Sequence, residues 1–186
     1  MTDLLRGVNV FLIGMMGSGK STIGKRLAEQ LNYRFFDTDA VIEKSAQRSI
    51  NDIFSTDGET AFRALETEVL SQLSTYVRLA IATGGGIILE RKNWSYLQHG
   101  IVIWLDTPVD VLYNRLKNDV SRPLLQSPDP RKTLEVILNQ RYPLYAQADL
   151  KVTVQANETP AQLVDRILET LPTILKEPSQ TPPSIE

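Results

Sequence analysis

Short apolar runs alternate along this chain with stretches in which apolar residues recur at every third or fourth position. Residues 8–13 form a β-branched, apolar run, broken only by Asn9, that stops at Gly14. After a glycine-rich turn, Ile23, Leu27 and Leu31 recur at helical spacing. Residues 34–37 read as a second strand, and Phe62, Leu65, Val69 and Leu73 mark another helix. Residues 79–83 are strand-like and end in Gly84, Gly85 and Gly86; residues 101–105 form the next strand. Thr107 and Pro108 then predict a helix start, with Thr107 as the cap and Pro108 in the first turn, where its missing N–H costs little. Leu112 and Leu116 continue that helix. Residues 150–154 make the last strand. Thr159-Pro160-Ala161-Gln162 reads as a capping box, followed by Leu163, Ile167 and Leu168 on one face.

Strands alternating with helices predict an α/β domain whose parallel sheet is covered on both sides. Ligands of such sheets bind beyond the carboxyl ends of the strands. Two segments are too long for plain connectors: residues 39–59, polar and weakly helical, and residues 118–131, with Pro123, Pro128 and Pro130. From Pro172 onward the chain turns rich in Pro and Ser and is expected to be a disordered tail, leaving residues 1–171 as a single domain.

Composition narrows the picture. The 186 residues suit one compact domain with a real core, and 42% hydrophobic with 23% charged residues is ordinary globular usage. A net charge of -2 gives no default basic face, so no nucleic-acid partner is expected. Cysteine is absent, which rules out disulfides and cysteine-held metals and fits a reducing cytoplasm. No apolar run approaches the roughly 20 residues of a spanning helix, and residues 1–7 have no apolar signal core. A soluble, unprocessed cytoplasmic protein with no membrane partner is expected.

The segment Gly14-Met15-Met16-Gly17-Ser18-Gly19-Lys20-Ser21 matches the P-loop pattern in full, with Thr22 following, and lies between a strand and a helix. The glycines let backbone N–H groups point into one anion-sized cradle. The helix that follows aims its positive end at the same place. Lys20 can reach the β- and γ-phosphates of a nucleotide, and the Ser21 hydroxyl can ligate Mg²⁺. Met15 and Met16 read as packing around the loop.

Two further features sit at strand ends. Asp37 and Asp39, two residues apart on a segment read as extended, would point the same way, one holding a metal's water and the other a substrate hydroxyl. Two bare carboxylates repel, so a cation or donor is expected between them. Gly84, Gly85 and Gly86 permit close backbone approach by a ligand. Asp106, at the end of an apolar strand, resembles a metal-binding aspartate. Its place before a helix start explains it structurally instead. His99 receives no role, and Trp94, Tyr96 and Trp104 read as packing residues.

These segments, taken together, resemble shikimate kinase over roughly residues 8–170. The likeness is carried by residues 14–22, Asp37-Thr38-Asp39, residues 50–54, Gly58-Glu59 with Phe62-Arg63, residues 83–86, Arg122-Pro123-Leu124-Leu125, and Arg141-Tyr142 through Tyr145. The resemblance implies transfer of the γ-phosphoryl of ATP to the 3-hydroxyl of shikimate, with Mg²⁺, by a monomer. It implies a three-layer α/β/α fold of P-loop NTPase type with strand order 2-3-1-4-5, a substrate-binding segment at about residues 39–63 and a lid at about residues 118–131. ATP would lie against Gly17, Ser18, Gly19, Lys20, Ser21 and Thr22, with Arg115 beside the adenine. Asp39 would position or deprotonate the acceptor hydroxyl, and Asp37 would act on Mg²⁺ through water. Arg63 and Arg141 would hold the acceptor carboxylate, which suits the bidentate fork of arginine. The backbone of Gly84, Gly85 and Gly86 would line the acceptor ring, and Arg122 in the lid would stabilise charge on the phosphoryl group. Outside that resemblance Arg63 and Arg141, on helical stretches, read as surface residues. Three rivals are a P-loop kinase for gluconate or a nucleoside monophosphate, a non-catalytic nucleotide-binding relative, and a nucleic-acid ATPase. The Asp39, Arg63, Arg141 and triple-glycine set disfavours the first, the intact Lys20, Ser21, Asp37, Asp39 and Arg122 the second, and length and charge the third.

Overall fold

A computed structural model describes residues 4–118 and 127–175 of the chain. Five strands, β1 (Val10–Ile13), β2 (Arg34–Asp37), β3 (Leu79–Ala82), β4 (Ile101–Asp106) and β5 (Leu150–Thr153), pair in parallel in the order β2-β3-β1-β4-β5. That is the expected order. The helices among the described residues are α1 (Lys20–Leu31), α2 (Thr38–Ala46), α3 (Ile50–Thr56), α4 (Gly58–Leu73), α5 (Arg91–Leu97), α6 (Val109–Leu116), α7 (Pro130–Tyr145) and α8 (Pro160–Ile174).

Side chains alternate across each strand, so the central strands feed two cores at once. Val10, Leu12, Ala80, Ile103 and Leu105 face α1 and α8, where Ile23, Leu27, Leu163 and Ile167 cover them. Phe11, Ile13, Ile81, Val102 and Trp104 face the opposite layer, against Ile42, Phe62, Leu70, Leu112 and Tyr145. Each such fully buried side chain contributes about 1.5–3 kcal/mol of transfer free energy. Strands apolar on both faces can only lie inside a three-layer domain, which is why the continuous run in β1 sits at the centre of the sheet.

Three local expectations change. Thr107 does not cap α6: the residue before its first turn is Pro108, and no side chain caps that end. The buried Thr107 hydroxyl finds no hydrogen-bond partner among the described residues. Asp106 is held instead by Lys151 at 3.0 Å, across the β4–β5 pair. The polar segment 39–59, read as weakly helical, is indeed helical over most of its length, spanning nearly all of α2, all of α3 and the start of α4; Asp37 caps α2, and a Ser49–Asp52 capping box starts α3. The excursion expected over residues 118–131 ends early, because Asp129 accepts from the Lys132 amide as a cap and Pro130 opens α7. Finally, Pro172 lies inside α8, so the helix runs three residues past the expected domain end. Leu171 is fully buried and Ile174 packs on the same core, and that apolar stripe outweighs the single amide that Pro172 lacks. Thr159 and Gln162 form the predicted capping box at the other end.

Asn9, the polar break in the first apolar run, is buried and stitches the lower end of the sheet. Its amide donates to the Tyr76 carbonyl at 2.7 Å, and its side-chain oxygen accepts from the Leu79 amide at 2.9 Å. It therefore fixes where β3 begins against β1. Asn9→Ala removes both bonds and leaves two main-chain groups without them, so a loss of about 2–4 kcal/mol is expected. Urea denaturation should show a lower midpoint at unchanged slope; an unshifted midpoint would show that water replaces Asn9 without cost.

Candidate active site

Everything chemical converges at the carboxyl ends of β1, β2 and β3. The loop after β1 turns sharply enough that Gly19 takes a left-handed conformation (φ 98°) and caps α1, so the helix N-terminus, with no side-chain cap, lies at the mouth of the loop. Lys20 folds back over it, its Nζ donating to the carbonyls of Gly14 at 2.8 Å and Met15 at 2.9 Å. Gly17 and Ser18 complete the loop, and Thr22 is exposed in the first turn of α1. Arg115 reaches across from α6 and donates to the Gly17 carbonyl at 3.0 Å. The fold thus brings together the nucleotide-side set read from the sequence, apart from Arg122, which lies outside the described residues.

Asp37 and Asp39 do not share an extended segment. β2 ends at Asp37, and Asp39 sits in the first turn of α2. One Asp37 carboxylate oxygen accepts from the Asp39 amide at 3.0 Å and the Ala40 amide at 3.5 Å; the other accepts from the Ser21 hydroxyl. Aspartate before a helix satisfies amides that would otherwise be orphaned, and this outcompetes extending the strand. The two carboxylates are thereby sorted: Asp37 faces the phosphate loop, while Asp39 turns toward the residues after β3. Ser21 and Asp37 together offer a hydroxyl and a carboxylate at the loop's mouth, an all-oxygen set suited to Mg²⁺, which keeps several waters and takes phosphate oxygens for the rest. No group of three or more His, Cys, Asp or Glu side chains able to hold a metal occurs among the described residues.

The turn after β3 is the floor of a second half-site. A Cβ on Gly84 would come within 2.8 Å of an Asp39 carboxylate oxygen and still closer to Glu66, and a Cβ on Gly86 would collide with the guanidinium of Arg63. Side chains are excluded here because charged groups press onto the backbone from α2 and α4. The Gly84 amide donates to the buried Thr38 hydroxyl at 3.0 Å. Arg141, on α7, donates to the Gly85 carbonyl at 3.1 Å. Of the three glycines, Gly85 alone is partly exposed. An added Cβ there would lie 3.4 Å from the Met16 amide nitrogen, so this turn runs beside the phosphate loop.

Arg63 is gripped from two sides. It pairs with the exposed Glu59 at 3.0 Å and, more closely, with Glu66, which is only 1% exposed. Burial works against the Arg63 charge, but Glu66 and Glu59 more than offset it and its pKa rises. For Glu66 the balance is reversed. Burial pushes its pKa up, Arg63 pulls it down, and the nearby Asp39 charge adds to the rise, so it stays above the ordinary glutamate range. Glu66 was not singled out in the sequence, and Thr38 and Tyr145 entered only as members of motif segments, with no role assigned to them. Glu66 lies three residues after Arg63, and i,i+3 pairing on a helix was the available signal.

The shikimate kinase family model matches residues 16–172. A shikimate kinase of Nostoc sp. is 53% identical over 177 residues, covering 95% of this chain and 98% of the relative. One of Rippkaea orientalis is 56% identical over 173 residues, 93% of this chain and 92% of the relative. Among solved structures, shikimate kinase from Acinetobacter baumannii in complex with shikimate superposes with a TM-score of 0.84 at 39% identity, covering 91% of this chain and 96% of that one.

The raised Glu66 pKa carries a stability signature. The fold holds this proton more tightly than the unfolded chain does, so the group favours folding below the ordinary glutamate range, and that contribution is lost as pH rises toward its folded pKa. Glu66→Gln has no such titration. Its melting temperature minus that of the parent is expected to grow more positive from about pH 4 toward pH 7. A flat or falling difference would mean that Arg63 fully compensates the buried carboxylate.

Proposed function

The chain belongs to the shikimate kinase family, ATP-dependent phosphotransferases, and on that basis we propose how its residues divide the transfer of the ATP γ-phosphoryl to the 3-hydroxyl of shikimate. One observation supports the division above all: the turn that gathers Asp39, Arg63 and Arg141 runs beside the phosphate loop at Gly85. Donor and acceptor half-sites share a wall. Phosphoryl transfer leaves a protein little covalent work, so positioning and charge placement carry the rate.

On the donor side, the amides of Gly17, Ser18, Gly19, Lys20, Ser21 and Thr22 cradle the phosphates. Lys20 exchanges its two carbonyl partners for phosphate oxygens, a stronger charge-assisted pairing. Arg115, already anchored over the loop, flanks the adenine side. Ser21 and, through water, Asp37 would hold Mg²⁺, which would supply charge to offset that of the phosphates.

On the acceptor side, Arg63 and Arg141 take the carboxylate of shikimate as a two-armed clamp. The partly exposed Gly85 backbone meets the ring, with Gly84 and Gly86 on either side. Asp39 accepts from the 3-hydroxyl and receives its proton as the phosphoryl arrives, the role of a general base. Arg122, which lies outside the described residues, is assigned to the ATP side, where its charge would stabilise the transferred phosphoryl group and water would be excluded. The reading further takes the enzyme as a monomer of the cytoplasm, where ATP is at hand.

Two measurements test the division. ADP release from Mg²⁺-ATP should depend on shikimate and vanish in Lys20→Ala. Asp39→Asn should lower kcat by about two to four orders of magnitude with ATP affinity retained. Near-parental turnover in that variant would remove Asp39 from the chemistry.

A further inference from the structure

Helix α7 offers two donors to a single acceptor. Nη1 of Arg141 lies 3.1 Å from the Gly85 carbonyl oxygen, and the Tyr145 hydroxyl lies 2.9 Å from the same atom. The two residues are four apart, on one face of the helix, so both rise toward the turn after β3. Tyr145 is 0% exposed and cannot swing away: its ring stacks on Trp104 at 5.5 Å between centroids, and Tyr142 stands edge-on to the same indole at 5.1 Å. Lys151 closes the stack, 4.7 Å from the Trp104 centroid. Burial raises the Tyr145 pKa, with Arg141 pulling the other way, so the phenol keeps its proton and remains a donor.

A carbonyl oxygen has two lone pairs, and either donor alone satisfies it. This redundancy matters because Arg141 has a second claim on it. An arginine that turns to a ligand's carboxylate must leave the Gly85 oxygen. If no other donor stood there, that oxygen would lose its bond at the moment of binding, and the acceptor's affinity would fall accordingly.

We infer that Tyr145 is a positioning residue for the acceptor: its hydroxyl keeps the Gly85 carbonyl bonded, which releases Arg141 to take the carboxylate and holds the turn beside the phosphate loop meanwhile. This rests on the assignment of Arg141 given above.

The test is a double-mutant cycle on the full-length enzyme, with shikimate affinity read by calorimetry and KM by steady-state rates. Tyr145→Phe keeps the ring on Trp104 and removes only the hydroxyl. It is expected to weaken shikimate binding about tenfold and leave the KM for ATP within about twofold. In an Arg141→Ala background the Gly85 oxygen has the same partner before and after binding, so the same Tyr145→Phe change should cost the acceptor nothing further. Parental shikimate affinity in Tyr145→Phe, with Arg141→Ala weakened, overturns the inference and leaves the carboxylate clamp standing. An equal loss in both backgrounds also overturns it, because a merely structural hydroxyl would act that way. Unchanged shikimate affinity in Arg141→Ala alone overturns the clamp, and the inference falls with it.

Discussion

Between Gly84 and Gly86 the chain runs so close to Glu66, Asp39 and Arg63 that a single methyl group at Gly84 or Gly86 would collide with a charged atom. That constraint orders the acceptor side. Thr38 must be small, buried and a hydroxyl to accept from the Gly84 amide while the chain turns from β2 into α2. The same turn sets Asp39 over Gly84 from α2, Glu66 and Arg63 over it from α4, and Arg141 and Tyr145 against it from α7. Three helices that are distant in sequence are thus placed by one stretch of bare backbone at the end of β3.

Charge explains why the arrangement holds together. Asp39 and Glu66 approach each other, and Arg63 and Arg141 lie close enough to influence Glu66. Two acids and two bases leave the pocket nearly neutral, yet Glu66 remains disfavoured as an anion because burial outweighs its partner. A buried carboxylate that stabilises the fold so poorly has a positional use: it aims Arg63 rigidly while Glu59, on the exposed side, adds a second hold. An arginine fixed in this way loses less side-chain freedom on meeting a carboxylate, which is where preorganisation gains affinity.

The donor half was legible in the sequence because its chemistry is local. A glycine pattern between a strand and a helix dictates backbone geometry within eight residues, and in the fold this loop lies between β1 and α1 with Lys20 curled over it. The parallel sheet was legible for a similar reason, since runs apolar on both faces have few places to go. Asp37 and Asp39 were misjudged because strand alternation and helix capping both use short polar residues, and capping won at this junction. Glu66 carries no motif, and Tyr145 closes the Arg141–Tyr145 motif with no role of its own read from it. They are ordinary residues of helix interiors whose partners, Arg63 aside, become neighbours only once the sheet order is fixed. Arg63 and Arg141 fall between these cases: on periodicity they are surface residues, and only the family pattern pointed inward.

This split has a physical consequence for specificity. The phosphate cradle is made largely of main chain, so its shape depends on the glycine pattern, with few side chains, Lys20, Ser21 and Arg115 among them, set around it. The proposed acceptor side is made of side chains from α2, α4 and α7, seated on a turn where Gly84 and Gly86 leave no room for side chains of their own. Replacing those few side chains would alter which acceptor fits without disturbing the sheet. Kinases for other acceptors can therefore share the sheet and loop, and the choice of acceptor rests on the converging charges and the turn they press upon.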